Sequence, residues 1–201
     1  MSKEAVNTET ILQDGLPTTG QLQRELRRVR YNSGFSGMLR STIGILITVA
    51  AIAVLIAVLL LPVLQIYGTS MAPTLSEGNI VVSVKGTKFE TGDVVAFYYN
   101  NKILVKRVIA NSGEWVDLDK DGTVYVNNVK IEEPYLVQKA YGETNIELPY
   151  QVPDARIFVM GDNRDASIDS RNTSVGCVSD EQIVGKIIFR IWPWKEAGWV
   201  R

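Results

Sequence analysis

Apolar residues fall along this chain in two different patterns. Between Ile43 and Leu64, twenty-two residues run without a charge. As a helix rising 1.5 Å per residue they reach roughly 33 Å, enough for a hydrocarbon core of about 30 Å. That run predicts a single transmembrane helix, which we assign to residues 41–64. Ala51-Ile52-Ala53 imitates the small-x-small cleavage site of a secretory signal, but the run is too long for one and about 40 residues precede it, so a retained anchor is expected.

Beyond Leu64 the pattern breaks into short β-branched and aromatic stretches bounded by Gly, Asn and Asp: 80–84, 94–99, 103–109, 115–118, 124–126, 156–160 and 183–192. Such spacing predicts a mainly β fold, an all-β domain of barrel or sandwich type following the helix. Tyr99-Asn100-Asn101-Lys102 and Lys120-Asp121-Gly122-Thr123 read as hairpin turns. The expected organisation is a basic N-terminal segment (1–40), the membrane helix (41–64) and a β-rich domain (65–201) carrying a hairpin-rich insertion at about 112–157.

Charge decides which way the helix faces. Arg24, Arg27, Arg28, Arg30 and Arg40 precede it against Glu25, and after it no basic residue occurs before Lys85. The positive-inside rule then puts the N-terminus in the cytoplasm and the β domain outside, in a single-pass protein of the cytoplasmic membrane with the lipid bilayer as a partner. Residues 1–20, polar with Gly15, Pro17 and Gly20, are expected to be unstructured, and 21–30 to form a short basic helix with Leu22, Leu26 and Val29 on one face.

Composition then acts mainly by exclusion. The 201 residues are 46% hydrophobic and 21% charged with net charge −1, values of an ordinary soluble domain that conceal how unevenly the apolar residues lie. Zero histidines exclude Ser-His-Asp and Cys-His catalysis and any His-ligated zinc; the single Cys177 excludes an internal disulfide or a cysteine metal cluster. No metal or other cofactor is expected. Residues 65–201 carry fifteen basic and eighteen acidic residues, which argues against a nucleic-acid partner. Asp117-x-Asp119-x-Asp121-Gly122 begins like a calcium loop, but position twelve is Asn128 where a Glu is needed, so a solvated hairpin tip is expected.

Three segments carry candidate chemistry. Gly68-Thr69-Ser70-Met71-Ala72-Pro73-Thr74-Leu75 is a turn presenting Ser70, without the second glycine of a hydrolase elbow. In Leu104-Val105-Lys106-Arg107-Val108-Ile109 two cations interrupt an apolar strand, and strand alternation sends them to opposite faces. One of them is expected to point inward. Arg keeps its proton, whereas a desolvated Lys can lose it, so Lys106 is the base this chain offers to Ser70. On the strand alone, solvated positions for both remain the alternative. Gly161 to Arg171 is a dense polar loop suited to supporting a site, or to simple solvation.

In order, these segments resemble the serine, lysine and glycine-aspartate boxes of the type I signal peptidase (leader peptidase) family, and Gly92-Asp93-Val94-Val95-Ala96-Phe97 resembles a fourth, structural box. The resemblance spans the anchor and nearly all of 65–195. It implies a membrane-anchored serine endopeptidase that removes signal peptides from exported preproteins after Ala-x-Ala sites, with Ser70 as nucleophile and neutral Lys106 as general base. It further implies that Ser167 orients Lys106, and that Asp162, Asp169, Arg107 and Arg171 form ion pairs holding the loop. The Ser70 N–H would be one oxyanion donor; where some relatives add a serine two positions earlier, this chain has Gly68, leaving the second donor open between a backbone group and Thr69. Met71, Leu75, Leu104 and Val105 would line small substrate pockets. Two rivals stand beside this reading: a self-cleaving repressor-type Ser-Lys peptidase, which the anchor opposes, and a non-catalytic membrane-anchored β domain scaffolding export partners. Trp192, Trp194 and Trp199 suit either the headgroup region or the core.

Overall fold

The computed structural model describes residues 19–86 and 88–200, and the side chains of all of these but 31–36. Of the expectation that residues 1–20 are unstructured, 1–18 lie outside the described residues, and Thr19 and Gly20 correct it by opening a helix. Helix α1 runs unbroken over Thr19–Leu60, so the basic stretch 21–30 is its first part and not a separate short helix. Its Gly37–Leu60 part is apolar and long enough to cross a membrane, with none of it buried against protein. A helix apolar all round and uncovered is suited to lipid. The apolar run reaches Leu64, but the helix stops at Leu60. Pro62 lacks an N–H and disfavours helix in the residue before it, and the chain after it extends.

Among the described residues twelve strands follow, all paired antiparallel: β1 (Val63–Gln65), β2 (Ile80–Val84), β3 (Val94–Tyr99), β4 (Lys102–Ala110), β5 (Trp115–Leu118), β6 (Val124–Val126), β7 (Val129–Lys130), β8 (Tyr150–Gln151), β9 (Arg156–Met160), β10 (Val178–Ser179), β11 (Ile183–Trp192) and β12 (Gly198–Trp199). The fold is mainly β, as expected. One sheet has the order β1-β2-β11-β3-β4-β9-β10 with β12 on β11; the other, β7-β6-β5-β8, lies within the stretch 112–157 where an insertion is expected. Both expected hairpin turns form, joining β3 to β4 and β5 to β6, with Tyr99 opposite Lys102 in the first.

Three apolar clusters hold the sheets. Val94 and Ala96 of β3 pack with Ile66, Met71, Leu75, Val81, Val184 and Ile187 on one face, while Val95 and Phe97 pack with Val108, Ile157, Val159 and Val178 on the other. This alternation buries β3 on both sides. The third cluster joins Val116, Leu118, Val124 and Val126 of the insertion to Ile109, Phe158 and Met160, with Cys177 among them. Trp192, Trp194 and Trp199 are all exposed, Trp194 and Trp199 each at 72%, so none of the three is a core residue.

Candidate active site

The loop from Gly68 to Leu75 is held from below by apolar side chains and from the side by hydrogen bonds. Met71 and Leu75 are buried in the cluster under it, and Thr74 Oγ1 donates to Asp162 Oδ2 at 2.5 Å. Gly68 has φ 80°, a left-handed conformation that a serine side chain would strain, which accounts physically for glycine there. Ser70 is half-buried. Its carbonyl accepts the Asn163 N–H at 3.0 Å, and its own N–H has no acceptor among the described residues.

On β4, Lys106 and Arg107 are 3% and 1% exposed. The expectation that one of them points inward is exceeded, because β4 is covered on both faces at this point. Arg107 donates through Nε to Asp162 Oδ1 at 2.8 Å and through Nη2 to Oδ2 at 2.6 Å, with Nη1 on the Gly92 carbonyl at 2.6 Å. Lys106 has no comparable partner among the described residues. Burial lowers its pKa from 10.5 to about 8; Asp169 and Asp162 pull it back up and Arg171 pushes it further down. A lysine so placed is a usable base near neutral pH.

The loop 161–171 supplies the charges around Lys106. Arg171 pairs with Asp169, Nε to Oδ1 and Nη2 to Oδ2 both at 2.9 Å, and Asp169 Oδ2 accepts the Gly161 N–H at 2.9 Å. Burial pushes the Asp169 carboxyl up, but Arg171 and the Gly161 N–H outweigh it and leave it below the usual carboxylate range. Among the described residues Ser167 Oγ is buried without a partner at full hydrogen-bond geometry, although it stands near enough to Asp169 to help hold that carboxyl down. Gly161 sits so tightly that a Cβ there would strike Ser167 Oγ and stand 2.5 Å from the Ser70 carbonyl oxygen. Ser70, Gly161 and Ser167 are thus brought together, with Asp169 bound to Gly161 and within electrostatic reach of Lys106, from three separate stretches of sequence.

Beside them runs a groove of about 970 Å³ whose lining includes Ser70, Met71, Leu104 and Val105, three of the four expected pocket residues among them. Leu75, the fourth, is fully buried in the cluster beneath and is absent from the lining. One wall is the edge strand β1 with Ile66 and Tyr67; the other is the first half of β4. Among the described residues β1 pairs only with β2, and β9 meets β4 only from Arg107 onward. Both walls therefore offer backbone edges unpaired in the sheet.

Residues 39–192 match the family described as signal peptidase, peptidase S26. The chain belongs to that family. Membership brings with it the expected enzyme class, type I signal peptidase, and the expected activity, removal of signal peptides. Signal peptidase IB of Staphylococcus aureus (strain COL) is 37% identical over 156 residues, 65% of this chain and 78% of that protein. The chloroplastic thylakoidal processing peptidase 1 of Arabidopsis thaliana is 36% identical over 146 residues, 64% of this chain but only 41% of the plant protein. A signal peptidase I crystal structure from Enterococcus faecalis V583 is 30% identical, with a TM-score of 0.44, over 50% of this chain and 97% of that one.

Several residues around this site escaped the sequence reading. The groove wall formed by β1 was absorbed into the apolar run, although Pro62 marked the break. Tyr98 and Asn100–Lys102, at the β3–β4 hairpin, also line the groove. Glu133 and Tyr135, from the insertion, reach the buried arginines of the site; no local pattern announces them.

Proposed function

We propose that this family member cleaves signal peptides with a Ser70–Lys106 dyad, acting from a single membrane anchor. The observation that carries the reading is Ser70 on the wall of a groove beside a buried Lys106 whose pKa is lowered to about 8. Neutral Lys106 Nζ takes the proton from Ser70 Oγ as the oxygen attacks the scissile carbonyl carbon. The oxyanion that forms is met by the Ser70 N–H, which is free to donate. Collapse breaks the C–N bond, Lys106 returns its proton to the departing amine, and an acyl ester on Ser70 remains. Water, deprotonated by Lys106, then hydrolyses the ester. Ser167 and the Arg107–Asp162 and Arg171–Asp169 pairs hold this arrangement; breaking a buried pair of this kind typically costs about 3–5 kcal/mol.

The substrate is an extended segment added between the free edges of β1 and β4. Leu104 and Val105 present apolar side chains to it above the buried Met71, which suits the small residues of an Ala-x-Ala site. Residues 1–40 form the cytoplasmic segment, 41–60 the span, shorter than the expected 41–64 because the helix ends at Leu60, and the chain from Val63 onward the catalytic domain outside the cytoplasmic membrane, an orientation supported by the arginines before the helix. Ser70 follows the helix end at Leu60 by ten residues, so it lies within about 36 Å of that end even if the chain were fully extended. That tether keeps the nucleophile near the surface where a precursor emerges.

The test is cleavage of a membrane-inserted precursor bearing an Ala-x-Ala site by the unchanged protein, Ser70→Ala and Lys106→Ala in liposomes. Cleavage after the final Ala, lost in both folded variants, is the expected result. Binding of the precursor with no cleavage by any of the three would instead support the scaffold reading.

A further inference from the structure

Two of the buried arginines at the site, Arg107 and Arg164, also reach side chains from residues 133–135. The Arg107 guanidinium carbon lies 3.9 Å from the ring centroid of Tyr135, a cation over an aromatic face. The Tyr135 hydroxyl donates to Glu133 Oε1 at 3.0 Å. Glu133 in turn pairs with Arg164, through Nη2 to Oε1 and through Nη1 to Oε2 at 3.3 Å. Arg164 Nε donates to the Gly161 carbonyl at 3.1 Å, and Asp162 pairs back to Arg107. The contacts close a ring: Arg107, Tyr135, Glu133, Arg164, Gly161, Asp162 and Arg107 again. All four charged side chains in it are at least 98% buried. Two cations and two anions balance, so the ring is neutral as a whole, and in such a setting each partner depends on the others.

What the ring encloses is the turn Gly161-Asp162-Asn163, and this turn grips the nucleophile loop at three points. The Asn163 N–H binds the Ser70 carbonyl at 3.0 Å; Asn163 Nδ2 donates to the Thr69 carbonyl at 3.3 Å; Asp162 accepts from Thr74 Oγ1. Glu133 and Tyr135 belong to none of the four boxes by which the sequence resembles its family.

We propose that Glu133 and Tyr135 are positioning residues for the nucleophile: through Arg164 and Arg107 they fix the Gly161–Asn163 turn, and the turn fixes the Ser70 loop relative to Lys106. This rests on the Ser70–Lys106 reading. Neither residue touches substrate, so its removal acts on turnover and not on binding. A displacement of about 1 Å in such a setting can cost about 100-fold in rate.

The experiment compares Tyr135→Leu, which removes the ring, with Tyr135→Phe, which keeps it, and with Glu133→Gln, all as the full membrane-embedded chain with near-ultraviolet circular dichroism to establish folding. For folded Tyr135→Leu we expect kcat to fall at least about tenfold with KM within about twofold, and Tyr135→Phe to restore kcat to within about threefold of the parent. The midpoint of the pH profile stays put while its plateau drops, because the ring acts on geometry and leaves Lys106 buried. Should Tyr135→Leu fail to fold, Glu133→Gln interrogates the same ring, with a loss in kcat at constant KM expected. Full kcat in a folded Tyr135→Leu, or in Glu133→Gln when it stands in, overturns the proposal; so does a loss confined to KM. Ser70→Ala run alongside separates the two readings. If it still cleaves, the dyad is wrong; if it is inert while the ring variants are fully active, only the positioning role fails.

Discussion

With Lys106 as the proposed general base, the pH dependence of this enzyme is calculable. Burial is the dominant cause of its lowered pKa, about 8 in place of 10.5. With that value roughly 1% of the enzyme carries a neutral lysine at pH 6, about 9% at pH 7 and half at pH 8, whereas an exposed lysine would be only about 0.03% neutral at pH 7. The shift therefore raises the competent fraction at pH 7 about 300-fold, worth about 3 kcal/mol. Under kcat/KM conditions the rate should climb close to tenfold per pH unit from pH 5.5 to about 7.5 and level off above about 8.5. Cleavage of an Ala-x-Ala reporter in detergent from pH 5.5 to 10 reads the profile directly. Stability has the matching sign. The folded pKa lies below the unfolded one, so the folded state holds fewer protons between pH 8 and 10.5, and stability rises with pH through that window. Below pH 8 the full cost of burying the ammonium is present. Lys106→Met should accordingly be at least as stable as the parent at pH 7 by thermal denaturation, with the difference shifting in the parent's favour from pH 8 to 10.5. A rate flat from pH 5.5 upward, or one still climbing close to tenfold per unit between pH 9 and 10, would refute the argument for a buried lysine base.

Two further outcomes follow from packing around the site. Gly161→Ala should lower kcat at least about 100-fold with the fold retained, since its new methyl would strike Ser167 Oγ and the Ser70 carbonyl and push the nucleophile loop away; turnover within a few-fold would show the neighbourhood to be looser than its geometry. Cys177 lies in the cluster joining the insertion to the main sheet, and burial pushes its thiol up to about 11, so Cys177→Ser should leave cleavage within about threefold while lowering the melting temperature. Collapse of activity in a folded variant would contradict that assignment.

Much of this protein is written locally. The strands at 80–84, 94–99, 115–118, 124–126, 156–160 and 183–192 form where alternation and turn residues put them, because side-chain period and turn chemistry act within a few residues. Ser70, Lys106 and the 161–171 loop could be picked out because each is a compact motif. At the helix end local reading failed: Val63–Gln65 continues an apolar run that suits helix and strand equally, and only its pairing with β2 decides the matter.

Tertiary structure decided what depends on distant partners. Alternation separates Lys106 from Arg107, but that both are buried follows from the packing of other segments against both faces of β4. The reach of Tyr135 to Arg107, and of Glu133 to Arg164 thirty-one residues away, has no local signature, because a ring or carboxylate in a polar insertion looks the same whether solvated or closed over a buried cation. The sequence determined which residue types were available for chemistry, and by excluding histidine it limited the base. Burial, which fits a lysine for the proposed role of base, is a property of the folded chain alone, since desolvation exists only once other segments have displaced the water.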